Sequence, residues 1–166
     1  MSSEFGSNDL PIDSPERRRL PLLLRRAWYG LNQAFRRRIA HLGITPDQFT
    51  VMRTLLENHG ITQRELTQLM TSDPNTIAAL LERMEQAGLI LREAHERDRR
   101  ARRLGVRAAG KRKYEAARIE AVRLQEEVLN SLPESDRGYF LEELALVADA
   151  CRHAVSRSPA PPKSKR

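Results

Sequence analysis

Between residues 74 and 87 the apolar side chains Ile77, Leu80, Leu81 and Met84 recur at helical spacing, which predicts one amphipathic helix. Its ends are marked: Asp73 suits an N-cap, Pro74 the first helical position, and Gly88 a stop. The opposite face carries Asn75, Thr76 and Ala79 near its start, short side chains that let a helix enter a major groove and touch base edges. Asn75 suits an adenine edge, and Pro74 or Thr76 a thymine methyl. After Gly88 the period changes. Leu89, Ile90 and Leu91 form an apolar run, and Leu104 and Val106 alternate with Arg103, Gly105 and Arg107, so two strands of a hairpin are expected. The segment between them, residues 93–102, is too polar to be buried and richer in arginine than a solvated turn requires; it reads as a basic wing.

Two helices upstream carry full start signals. Thr45 is followed by Pro46 and Gln48, with Ile44 placed to staple against Phe49, and the apolar positions continue through Met52, Leu55 and Leu56 to Asn58-His59-Gly60. Thr62 and Glu65 repeat the device, Ile61 stapling against Leu66, in a helix that ends near Met70. The helix at residue 74 differs, because Ser72 stands where an apolar staple would be. Its backbone N–H groups and the hydroxyls of Thr71 and Ser72 are therefore expected to be available to phosphate, with Gln63 and Arg64 in support.

Flanking this centre are longer helical patterns. Leu24, Trp28, Leu31, Phe35, Ile39 and Leu42 step by three or four in a first helix expected from Ser14-Pro15-Glu16 towards His41, with Pro21 either kinking it or marking its start. From Ala108 onward Tyr114, Ala117, Ala121, Leu124 and Val128 share a face until Ser131-Leu132-Pro133-Glu134, expected to break this helix and cap the next. The last helix carries Phe140, Leu141, Leu144, Val147 and Ala148 and is expected to fade near His153. These flanking helices hold more apolar surface than a small winged domain can cover, so they read as a dimer interface. The expected fold is mainly α with a small β-hairpin wing: a disordered lead over residues 1–13, an N-terminal dimerisation helix over 14–44, a winged helix-turn-helix over 45–110, C-terminal dimerisation helices over 111–155 and a disordered basic tail over 156–166.

Composition narrows the partner. A formal net charge of +7 argues for a polyanion. Basic residues concentrate at Arg36-Arg37-Arg38 and between Arg92 and Lys113, as in a phosphate footprint, although solvated charged faces are the plain alternative for either cluster alone. In the wing, Arg100 is expected in the minor groove with Arg97, Arg99 and Arg102 on flanking phosphates. Asp98 would orient a neighbouring arginine by a charge-assisted hydrogen bond. With Cys151 alone, no intrachain disulfide forms, and a partly packed, unreactive thiol is expected ahead of an oxidant sensor. No apolar run has the length of a membrane span, no signal-peptide order is present, and a cytosolic location is expected. His41, His59, His95 and His153 are scattered without metal-ligand spacing, and neither a phosphate loop nor a nucleophile elbow occurs. No cofactor and no enzymatic activity are expected.

The run Asp98-Arg99-Arg100-Ala101-Arg102-Arg103-Leu104-Gly105-Val106, followed by Gly110, resembles the wing signature of MarR-family transcriptional regulators. Thr45-Pro46-Asp47-Gln48-Phe49 and the segment from Leu80 to Ile90 are similar to that family in order and spacing, and the resemblance covers residues 20–152. One departure stands out: a Thr commonly occupies the position of Arg107, which leaves open how the following helix is capped. The resemblance implies a homodimer on a palindromic double-stranded DNA operator. It also implies an effector pocket between the dimer helices and the winged domain. Trp28, Phe49 and Met52 would partly line it, and Arg25 would pair with the carboxylate of a small aromatic anion, although aromatics on such stripes more often serve as core. Three functions fit the residues: a ligand-responsive, sequence-specific regulator, expected to repress; an architectural DNA-binding protein without sequence preference; and a helical module whose wing binds an acidic protein.

Overall fold

The computed structural model describes residue 15 and residues 19–94 and 102–159. Its elements run α1 (Arg19–Ile39), a 3-10 turn (Ala40–Leu42), α2 (Pro46–Glu57), α3 (Gln63–Leu69), α4 (Pro74–Gln86), β1 (Ile90–Ala94), β2 (Arg102–Val106), α5 (Ala108–Leu129) and α6 (Glu134–Arg157). The expected disordered lead lies outside the described residues, as do Ser14 and Glu16 of the expected first-helix start; α1 as described begins at Arg19, two residues before Pro21.

Local chemistry places the helix starts. Both capping boxes form: the Thr45 and Thr62 hydroxyls accept from the backbone N–H of Gln48 and Glu65, whose side chains accept in return from the N–H of each cap. Ile44 with Phe49, and Leu66 with the half-buried Ile61, join the core at these two starts. Helix ends are set differently. At the end of α4 the N–H of Gly88 bonds Glu85 O at 2.9 Å and that of Leu89 bonds Met84 O at 2.9 Å, a turn that needs the left-handed φ of +67° at Gly88. The end of α3 uses the same pair of bonds, Thr71 N–H to Gln68 O and Ser72 N–H to Thr67 O, but the left-handed residue is Thr71 at φ +49°. A β-branched side chain there is strained by about 1–3 kcal/mol.

Two expectations at the C-terminal end are corrected. The break at Ser131-Leu132-Pro133-Glu134 occurs, but Ser131 does not cap α6; its hydroxyl donates to Val128 O at the end of α5, and the N-cap position is Pro133 without a side-chain bond. Proline's fixed φ starts the helix, with Asp136 N–H on Pro133 O. α6 also continues past His153 to Arg157, two residues into the segment that composition assigns to the tail.

The chain from α1 to Leu124 of α5 forms one compact unit, and the chain from Gln125 a second. In the first unit β1 and β2 pair antiparallel, Ile90 opposite Val106 and Ala94 opposite Arg102. β2 also takes the segment before α3 as a neighbour, through Leu104 N–H to Ile61 O at 2.9 Å and a bridge between Thr62 and Arg103. The core joins Phe35 and Ile39 of α1, Met52 and Leu55 of α2, Leu66 of α3, the apolar face of α4, Ile90 and Leu104 of the hairpin, and Tyr114, Ala117 and Leu124 of α5. Leu20, Leu22, Leu23, Trp28, Tyr29 and Leu31 of α1 remain exposed. In the second unit α6 buries no side chain, and Tyr139, Phe140, Leu141, Leu144, Leu146 and Val155 face outward. Cys151 is exposed rather than packed. No helix among the described residues is long and apolar enough to cross a membrane.

Gly110, in the first turn of α5, lets that helix pass against the end of α4. A Cβ there would sit 2.2 Å from Leu89 O and 3.0 Å from Val106 Cγ1, and the first of these is backbone that cannot turn aside. Gly110→Ala is therefore expected to lower unfolding stability by about 3 kcal/mol, read as a fall in the urea midpoint, despite alanine's better helix propensity.

Candidate nucleic-acid interface

α3 and α4 meet through the strained turn at Thr71, and α4 presents two faces. Ile77, Leu80, Leu81 and Met84 are buried, which fixes the helix in rotation and turns Pro74, Asn75, Thr76 and Ala79 outward, all exposed. Thr71 is exposed and Ser72 half-buried in the turn; Gln63 and Arg64 open α3, half-buried and exposed respectively. The structure thus places the predicted base-reading and supporting residues on two adjacent helices and in the turn between them.

The start of α4 corrects one expectation. The Asn75 and Thr76 N–H groups are not available to phosphate, because Asp73 Oδ1 accepts from both, at 3.0 and 2.9 Å. The Thr76 hydroxyl also bonds this carboxylate and, with the backbone bonds, holds its pKa below the usual carboxylate range. One consequence is chemical: the Thr76 side chain is engaged by the cap that starts its own helix. A second is electrostatic, since an anion stands beside the exposed start of α4.

Sequence reading missed a further feature of that face. Asn75, Ala78, Ala79, Glu82 and Glu85 of α4 line, with Arg92 of β1, a shallow open groove of about 540 Å³. Glu85 Oε2 lies 3.2 Å from Arg92 Nε, an ion pair that ties α4 to the first strand of the hairpin. The Arg92 Nε–H is buried and not aimed along a hydrogen bond, so the contact is one of charge more than of direction. No helix or strand spacing links residues 85 and 92; the turn at Gly88 folds β1 back onto α4 and makes the pair.

Of the wing residues, Arg102 is exposed at the start of β2, opposite Ala94. Arg97, Asp98, Arg99 and Arg100 lie outside the described residues. Arg107 has no side-chain acceptor to cap α5; its N–H instead bonds Leu89 O and its carbonyl accepts from Lys111 N–H, which ties the start of α5 to the chain leaving α4. The residues suggested for an effector pocket have unlike surroundings: Phe49 and Met52 are buried in the core, whereas Trp28 and Arg25 are exposed on α1. No group of three or more His, Cys, Asp or Glu suited to a metal ion occurs among the described residues.

A helix-turn-helix with an exposed polar start to its second helix, followed by an antiparallel hairpin, defines a winged-helix DNA-binding protein. The sequence model of the MarR family matches residues 44–101. The transcriptional regulator HosA of Escherichia coli is 30% identical over 125 residues, which cover 72% of this chain and 93% of that protein. The transcriptional repressor CouR, solved bound to a 23-mer DNA duplex, superposes with a TM-score of 0.74 at 26% identity, covering 84% of this chain and 99% of that one. PcaV from Streptomyces coelicolor, solved in complex with its natural ligand, shares the fold with a TM-score of 0.67 at 23% identity, covering 86% of this chain and 97% of that one. The chain belongs to the MarR family and is a DNA-binding transcriptional regulator.

The Asp73 cap makes a pH prediction. Because its folded pKa is depressed, its contribution to stability is fully present above the unfolded value of about 4 and is lost as pH falls through the lower folded value. Asp73→Ala is expected to lower the melting temperature at pH 7, and the gap from the parent to close progressively below about pH 4. A gap that stays constant to pH 2 would show that the carboxylate is not the source.

Proposed function

We propose that this protein is a homodimeric repressor that reads a palindromic operator with α4 and is released from it by a small aromatic acid. The observation that carries the reading is the division of α4 into a buried apolar face and an exposed start built of Pro74, Asn75, Thr76 and Ala79. Burial fixes the rotation of the helix, and short side chains permit the close approach that direct readout needs. Thr71, Ser72, Gln63 and Arg64 contribute phosphate contacts, as do Arg97, Arg99 and Arg102, while Arg100 enters the minor groove oriented by Asp98. CouR, bound to its duplex, supports the DNA mode.

The homodimer is favoured by exposed apolar side chains on α1 and on α6, which water does not favour leaving uncovered. The effector site is proposed to complete itself only in the dimer, from the exposed Trp28 and Arg25 of α1 with Phe49 and Met52 behind; PcaV, solved with a ligand, is the precedent for a ligand in this fold. No enzymatic activity is assigned, and the cytoplasm, where the duplex is, is the proposed location.

The test is a titration of the full chain against a duplex selected from a random library and against an unselected duplex. Asn75→Ala is expected to weaken the selected duplex by roughly 1–3 kcal/mol and to leave the unselected one nearly untouched. Equal losses on both would reduce α4 to a phosphate contact and favour an architectural protein. Adding benzoate to the same titration tests the effector: release of the duplex supports it, and unchanged binding at millimolar acid removes it.

A further inference from the structure

The exposed face of α4 does not end with Ala79. Glu82 lies seven residues beyond Asn75, two helical turns on and nearly in line with it, and shares with Asn75, Ala78 and Ala79 the open groove described above. Glu85, one turn further, is held by Arg92. Glu82 is exposed and has no ion-pair or hydrogen-bond partner among the described residues. An unpaired carboxylate on the face of a helix that enters a polyanion repels phosphate, and this cost is uncompensated unless the carboxylate meets a donor in the groove. In a major groove the exposed donors are the cytosine N4 and adenine N6 amines. Adenine sets an acceptor, N7, beside its amine, which a carboxylate cannot satisfy, so cytosine is the base that a lone carboxylate accepts from. Small side chains at Ala78 and Ala79 leave the approach unobstructed.

We propose that Glu82 is a specificity-determining residue that accepts a hydrogen bond from cytosine N4 and disfavours other bases at that position. The rise of about 1.5 Å per residue sets Glu82 roughly 10 Å along the helix from Asn75, which is about three base pairs of groove. The preferred cytosine therefore falls about three base pairs from the base pair that Asn75 contacts. This inference rests on α4 being the base-reading helix.

The experiment is selection of duplexes from a library with a randomised core by the parent chain, by Glu82→Gln and by Glu82→Ala, each followed by sequencing. Glutamine preserves size and helix propensity at this exposed position, so folding is retained, and circular dichroism of each variant verifies it. The parent is expected to enrich cytosine at one position per half-site. Glu82→Gln is expected to shift that one position to adenine, whose N6 and N7 suit the amide, and Glu82→Ala to lose preference there while binding unselected DNA more tightly, so that the specificity ratio falls roughly tenfold. If both variants keep the parental preference at every position, the role of Glu82 is overturned while the base-reading role of α4 stands. If the parent itself enriches no sequence, the reading of α4 fails and this inference with it.

Discussion

Phe49 is the side chain on which the rest of the structure depends. It is the fourth residue of α2, and its ring meets Phe35 of α1 edge-on at 5.0 Å and stacks on Tyr114 of α5 at 5.2 Å. Each such aromatic contact contributes about 0.5–1.5 kcal/mol beyond the area it buries, but here the geometry matters more than the sum. Three helices from distant parts of the chain converge on one ring, which sits at the start of α2 where the Thr45 capping box already fixes the backbone. The winged segment thus hangs from α1 and α5 at a defined point.

A second constraint acts at the reading face. The turn before α4 holds Thr71 in a left-handed conformation where glycine would be relaxed, and the cap of α4 is an anion, Asp73, where serine or threonine would be neutral. Thr71 costs strain, whereas the Asp73 charge suits the positive end of the helix it caps. Asp73 also engages the Thr76 side chain, besides accepting from the backbone N–H groups of Asn75 and Thr76. The ion pair of Glu85 with Arg92 then ties this surface to the wing.

The fold was legible where one strong local rule acts over a few residues. Both capping boxes, the Asp73-Pro74 start, the Gly88 stop and the change of period into the hairpin are short-range signals, and the structure has all of them. The end of α3 falls at Met70 as the pattern predicts, although its terminating turn uses Thr71 in place of the glycine that usually marks one. The cap of α6 was misassigned to Ser131 because a hydroxyl followed three residues later by Glu134 imitates a capping box, whereas Pro133 supplies the start by its fixed φ alone. At the site, the exposed residues of α4 followed from the phase of its buried face. The Glu85 and Arg92 contact did not follow, since it depends on how a turn returns one element against another. Nor did the close approach at Gly110, whose reason is the carbonyl of Leu89, far away in sequence.

The central claim is that two copies of α4, one from each chain of a dimer, read the same face of a duplex one helical turn apart. Hydroxyl-radical footprinting of the full chain on a selected duplex, with guanine N7 methylation interference on the same fragment, measures this directly. Two protected stretches are expected, with centres about 10 base pairs apart, and methylation blocking binding within both. A single protected stretch, or protection that methylation in the major groove leaves undisturbed, would contradict it.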